Sequence, residues 1–168
     1  MKINLGAGPN WEYKDWFVLD HKVKKNEQYR IKGDLNNINL KDKSCDLVFI
    51  SHTLEHIPHI QIQKVLSEIN RIMRTNATIR LLVPNLEAIA KAYVKKDKKF
   101  FKSALDEDHS IRKDLGFGGM MMNFIVSPGQ DTVLLNRNLN KFIAGYAHLY
   151  SYDFIMMKKL LSLAGFAE

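Results

Sequence analysis

The chain has 168 residues, 46% hydrophobic and 26% charged, a length and composition that suit one packed domain and exclude global disorder. No apolar run approaches the roughly 18 residues of a membrane span, and Met1-Lys2 leads straight into a strand pattern, so a cytoplasmic chain without a membrane partner is expected. The formal net charge of +7 is scattered over short runs such as Lys22, Lys24 and Lys25, or Lys95 and Lys96, without a recognition helix or zinc spacing, which disfavours nucleic acid as a partner.

The first element is a short alternating strand, Lys2-Ile3-Asn4-Leu5, which runs into two glycines one residue apart, Gly6 and Gly8. Ile3 and Leu5 share a buried face, and the glycines bring backbone N–H groups within reach of a ligand. A dinucleotide fingerprint wants a third glycine at position 11, where Trp11 stands, so nicotinamide and flavin dinucleotides are disfavoured. The second strand, Trp16-Phe17-Val18-Leu19-Asp20, ends in an acid suited to a ribose diol. Two glycines without a phosphate grip, followed by that acid, fit S-adenosylmethionine (SAM).

Gln28 to Lys32 reads as a third strand, ending at Gly33-Asp34-Leu35. Cys45, the only cysteine, excludes an internal disulfide and reads as a small buried hydrophobe at a strand start. Leu47-Val48-Phe49-Ile50 is an apolar run suited to a central parallel strand, with Ser51-His52-Thr53-Leu54-Glu55-His56-Ile57-Pro58 at its carboxyl end. His52, His56 and His59 crowd there, but Thr53 rather than Glu follows His52, so the zinc-protease spacing is not met and no metal ion is expected.

From Pro58 to Arg74 the apolar positions Ile62, Val65, Leu66, Ile69, Ile72 and Met73 recur every three or four residues, which predicts an amphipathic helix ended by Arg74-Thr75-Asn76. Ala77 to Asn85 reads as a fifth strand and Leu86 to Lys96 as the helix after it. Lys98 to Leu115 is expected to be helical, Gly116-Phe117-Gly118-Gly119 a loop, Met120-Met121-Met122 hydrophobic filler, and Ser127 to Asp131 a turn. Ser151 is the expected N-cap of a last helix with Phe154, Met157, Leu160, Leu161 and Ala164 on one face, ending at Gly165.

Asn4-Leu5-Gly6-Ala7-Gly8-Pro9-Asn10, Val18-Leu19-Asp20, Ser51-His52-Thr53-Leu54-Glu55-His56 and Val83-Pro84-Asn85-Leu86 together resemble the class I SAM-dependent methyltransferases. The likeness is close over residues 2–97 and looser over 145–166. It implies an α/β fold: a Rossmann-like, doubly wound, mostly parallel sheet of strand order 3-2-1-4-5, here without the family's terminal β-hairpin. Residues 1–168 are then one SAM-binding domain. The resemblance also implies a cofactor set of Leu5, Gly6, Ala7, Gly8, Asp20, His21, Asp34, Leu35, Ser51 and His52, with Asp34 and Leu35 at the adenine.

The expected activity is methyl transfer to an oxygen or nitrogen of a small-molecule acceptor. His56 and His148 are the catalytic candidates, because imidazole titrates in the useful range and the family carries a His-containing segment before its last helix. The alternatives are a non-catalytic SAM-binding or sensing protein, motivated by the missing strands, and a nucleic-acid methyltransferase, against which Ser51-His52-Thr53-Leu54 stands where an Asn/Asp-Pro-Pro-Tyr motif belongs. The fifth strand, lacking a recognised neighbour, exposes Thr78 to Val83 and suggests a homodimer, with Asp131 to Leu135 as the alternative cover.

Overall fold

The computed structural model describes residues 1–8, 10–24, 27–103, 116–126 and 148–167. They fall into two compact units: Met1–Leu54, Pro58–Val83 and Ile155–Glu168 form one, Glu55–Ile57 and Pro84–Phe154 the other.

The first unit is built on five parallel strands, β1 (Lys2–Leu5), β2 (Trp16–Asp20), β3 (Arg30–Lys32), β4 (Cys45–Ser51) and β5 (Met73–Leu82), in the order β3-β2-β1-β4-β5. This is the expected topology. β1 takes the centre because its side chains are buried on both faces: Ile3 and Leu5 are fully buried, and so is nearly all of Asn4 between them. Helix α1 (His59–Ile72) lays Ile62, Val65, Leu66, Ile69 and Ile72 into the core, the stripe its sequence period predicts. Cys45 is fully buried, and burial pushes its thiol pKa up, as befits an inert core residue.

Three boundaries differ from the sequence reading. β3 is shorter than Gln28–Lys32 because the chain turns tightly there, with Glu27 N–H donating to Arg30 O at 2.9 Å. β5 starts at Met73, straight off α1, rather than at Ala77: the Lys43 and Ser44 N–H groups donate to the carbonyls of Arg71 and Ile72 at 3.0 and 2.8 Å, drawing the chain alongside Cys45. The pairing then slips between Cys45 and Leu47, with Asn76 at φ 63°. β5 stops at Leu82, two residues before Pro84, which lacks an amide proton for the ladder.

A latch closes the β3–β4 connection onto α1. The Arg71 guanidinium donates to Asp42 Oδ1 (2.5 Å), to the carbonyls of Ile38 (2.7 Å) and Leu40 (2.9 Å), and through two nitrogens to Glu68 (both 2.9 Å). Glu68 in turn accepts from Ile38 N–H at 3.0 Å. The hydrogen bond from Arg71 is the main reason the Glu68 carboxyl pKa lies below its usual value. The last helix, α5 (Phe154–Leu163), buries Met157, and Asn70 Nδ2 donates to Ala164 O at 2.8 Å just past its end. Phe154, expected on the buried face, is 72% exposed.

The second unit contains α2 (Leu86–Val94), α3 (Lys98–Ser103) and α4 (Gly116–Val126). Asn85 caps α2, its Oδ1 accepting from Ala88 N–H at 3.1 Å. Ile89, Ala92 and Phe101 form a small core against Phe100, Phe117, Met120, Met121, Phe124 and Ile125. That cluster explains a correction: the glycine-rich stretch 116–119, expected as a loop, is the first turn of α4, because burying the aromatics and methionines around it outweighs the poor helix propensity of glycine. Met120 and Met121 are filler, as expected, but Met122, expected with them, is 45% exposed. The turn expected at 127–131 and the strand candidate at 131–135 lie outside the described residues, as do Gly145 to Ala147.

Candidate functional site

The glycine loop lies at the carboxyl ends of β1 and β2, where ligand crevices of parallel sheets form. Gly6 N–H donates to Leu19 O at 2.8 Å, and Gly6 and Gly8 adopt φ 72° and 77°, values that favour glycine. Their surroundings are opposite. A Cβ on Gly6 would sit 2.3 Å from Thr53 Cγ2 and 2.6 Å from its Oγ1, whereas one on Gly8 would meet nothing within 4 Å among the described residues. Gly6 is therefore a packing glycine, whereas Gly8 borders open space among the described residues.

Asp20 is buried at the end of β2 and organises that loop. Its Oδ2 accepts from Gly8 N–H at 2.8 Å and its Oδ1 from Lys22 N–H at 2.7 Å, with the exposed His21 ring 3.6 Å from Oδ1. Each oxygen keeps a second lone pair, so a hydroxyl donor can be added without breaking the loop. Asn4 Oδ1, buried in β1, has no hydrogen-bond partner among the described residues. The Gly6 and Gly8 N–H groups are thus both taken within the chain, so what this loop can offer an adenosine-bearing cofactor is the space beside Gly8 and the spare acceptor capacity of Asp20.

The other expected cofactor residues fall as follows. Leu5 is fully buried and offers only its backbone; Ala7 is half-buried. Asp34 is exposed and makes an Asx turn, Oδ1 accepting from Asn36 N–H at 2.8 Å, while Leu35 is half-buried. Ser51 ends β4, and His52 follows at φ 51°, its N–H donating to Leu82 O at 3.0 Å. Sequence reasoning passed over Thr53, whose hydroxyl lies 3.3 Å from Leu5 O, 3.3 Å from Gly6 O and 3.2 Å from Ser51 O, fixing the β4 end against the loop. No periodicity or motif chemistry marks it. A separate cleft of about 650 Å³, walled by Trp11, Tyr13, Trp16, Tyr29 and Arg30, opens at the amino ends of β2 and β3 and includes none of the described glycine-loop residues.

In the second unit the structure brings the two expected catalytic histidines together. The His56 and His148 rings pack edge to face, centroids 4.9 Å apart. Glu55 sets this up through its backbone, its carbonyl accepting from Leu149 N–H at 2.7 Å and Tyr150 N–H at 3.3 Å. His148 Nδ1 lies 2.9 Å from Phe124 O; a carbonyl only accepts, so Nδ1 carries the proton. Ser151, expected as a helix cap, is instead buried with its hydroxyl donating to Ile125 O at 3.2 Å. Tyr152 is fully buried, and burial first, then its neighbours Tyr150 and Glu55, raises its hydroxyl pKa.

This topology is that of the class I SAM-dependent methyltransferases, the group its motifs resemble. Residues 17–81 match the family model described as a methyltransferase domain, and SAM is the cofactor that family implies. Among solved structures the chain is similar to a SAM-dependent methyltransferase of Thermotoga maritima, described as a possible histamine N-methyltransferase (14% identity, TM-score 0.53, covering 99% of this chain and 64% of that one). It is also similar to a SAM-dependent methyltransferase of Mesorhizobium loti (14% identity, TM-score 0.52, covering 99% of this chain and 74% of that one). The chain thus spans a little under two thirds of the length of the Thermotoga protein. No curated protein matches its sequence. Among the described residues no helix is long and apolar enough to cross a membrane.

Proposed function

We propose that this chain is a cytoplasmic methyltransferase that uses SAM to methylate an oxygen or nitrogen of a small molecule. The observation that carries the reading is the contrast at the glycine loop, where Gly6 is filled by Thr53 while Gly8, its N–H accepted by Asp20, borders open space among the described residues. When bound, SAM supplies a methyl group already made electrophilic by the sulfonium. The chain's part is therefore to bind, align and manage one proton. Gly6 to Gly8 and Asp20 take the methionine and ribose ends, and Asp34 with Leu35 takes the adenine. His56 and His148 are the acceptor-side groups: in its neutral form His148 holds its proton on Nδ1 and presents the Nε2 lone pair.

Methyl-labelled SAM incubated with the chain and a fractionated metabolite pool should label a small acceptor and release S-adenosylhomocysteine. SAM binding without transfer to any fraction would favour a sensing protein. Label carried by RNA or DNA, with salt-dependent binding, would favour a nucleic-acid enzyme.

A homodimer is the remaining part of the proposal. Among the described strands β5 pairs only with β4, and Thr78, Arg80 and Leu82 along it are exposed. Ile79→Lys should then convert a dimer to a monomer by sedimentation, while a wild-type monomer at every concentration removes this part.

A further inference from the structure

The pairing of Glu55 with the two histidines reaches beyond proton transfer. One carboxylate oxygen of Glu55 and one ring nitrogen each from His56 and His148 all lie within 4.8 Å of one another. We infer that Glu55, His56 and His148 form a binding site for a divalent first-row transition metal ion. Bonds of about 2.1 Å hold the ligands of such an ion roughly 3.0–3.4 Å apart, so the three side chains close on it by adjustments of roughly an ångström.

Three further observations agree with the assignment. The Glu55 side chain is fully buried, and a carboxylate kept from water is found paired or on a metal. The proton on His148 Nδ1 is held by the Phe124 carbonyl, so the lone pair is on Nε2; metal-bound histidines are oriented in this way by a backbone carbonyl on the far nitrogen. The Glu55 carbonyl also receives the N–H groups of Leu149 and Tyr150, so the chain carrying His148 is fastened by backbone bonds to the residue that carries the carboxylate. Sequence spacing alone directs attention to His52, His56 and His59, which is a different set.

The donor set chooses the ion. Two imidazoles and one carboxylate suit zinc, iron, cobalt or nickel, whereas calcium and magnesium want oxygen shells. Three protein ligands leave a coordination position open, the arrangement of a site that binds a further small molecule rather than one that only staples a fold.

The proposal stands on this cluster and not on methyl transfer, so its test omits SAM. The full chain, stripped with a chelator and dialysed, is titrated with Co2+ by visible absorption and with Zn2+ by calorimetry. One ion per chain is expected. Its cobalt spectrum should show four- or five-coordinate d–d bands without a thiolate band, since Cys45 is not a ligand. His56→Gln and His148→Gln should each weaken binding at least about tenfold, a loss that even outer-shell partners of metal sites reach. His59→Gln should leave affinity unchanged, and circular dichroism confirms that each variant is folded. No saturable binding by the wild-type chain, a spectrum of weak six-coordinate bands only, or full affinity in folded His56→Gln/His148→Gln overturns the assignment.

Discussion

The glycine loop and the Glu55–His56–His148 cluster are made in different ways. Gly6 and Gly8, in the loop after β1, and Asp20, at the end of β2, are joined by one backbone bond from Gly6 to Leu19 and by the Asp20 carboxylate, which accepts from Gly8 and Lys22 N–H, all at 2.7–2.8 Å. His56 and His148 lie more than ninety positions apart, and what joins them is a backbone clamp on Glu55 together with the Phe124 carbonyl on α4. Apart from the packing of Thr53 on Gly6, the first site is completed within one stretch of chain. The second exists only when distant segments have packed, so damage to α4 or to residues 149–152 should abolish it while leaving the glycine loop as it was.

The comparison is tested most severely at the two glycines. Gly6→Ala should cost about 3 kcal/mol of stability in denaturant unfolding, combining overpacking against Thr53 with the strain of a side chain at positive φ. Removing the Thr53 side chain beyond Cβ in Gly6→Ala/Thr53→Ala should return part of that loss, a coupling that independent sites would not show. Next in size, Arg71→Ala should cost about 2 kcal/mol through the latch on Glu68, Asp42 and two carbonyls, and melting followed by circular dichroism measures it. Gly8→Ala should cost only about 1 kcal/mol, since strain acts there without a clash. Equal losses at Gly6 and Gly8 would erase the distinction between packing and open glycine.

The smallest effect is on pH dependence. Arg71 depresses the folded-state pKa of Glu68 below its unfolded value, so the stability from this pair is present above the unfolded carboxylate range, near pH 4.3, and is lost as pH falls through the lower folded value. Glu68→Gln should therefore melt below the wild-type chain at neutral pH, and the gap should narrow under acid. A gap that widens towards low pH would contradict the latch.

Where the sequence was readable follows from the same contrast. The periodic stripe Ile62, Val65, Leu66, Ile69, Ile72 and the continuous apolar run of β4 are both local signals, and both elements form where expected. The first turn of α4 was misread because glycine propensity is local while the cluster of Phe101, Phe117 and Phe124 that overrides it is not. β5 gains its first residues from two amides of the Lys43–Ser44 turn, a contact without any sequence signature. Ser151 looked like a cap by type and position, yet its hydroxyl is taken by Ile125. At the loop, Gly8 and Asp20 were legible by residue type, but the division of labour between Gly6 and Gly8 depends on Thr53, which no spacing rule selects.

The central claim is that the space beside Gly8, with its N–H held by Asp20, receives SAM. Calorimetric titration of SAM into wild-type protein and into Gly8→Val, each shown folded by circular dichroism, tests it most directly. The account predicts saturable one-to-one binding by the wild-type chain and none by Gly8→Val, because a branched side chain fills that space. Equal affinity in the two folded proteins would contradict it.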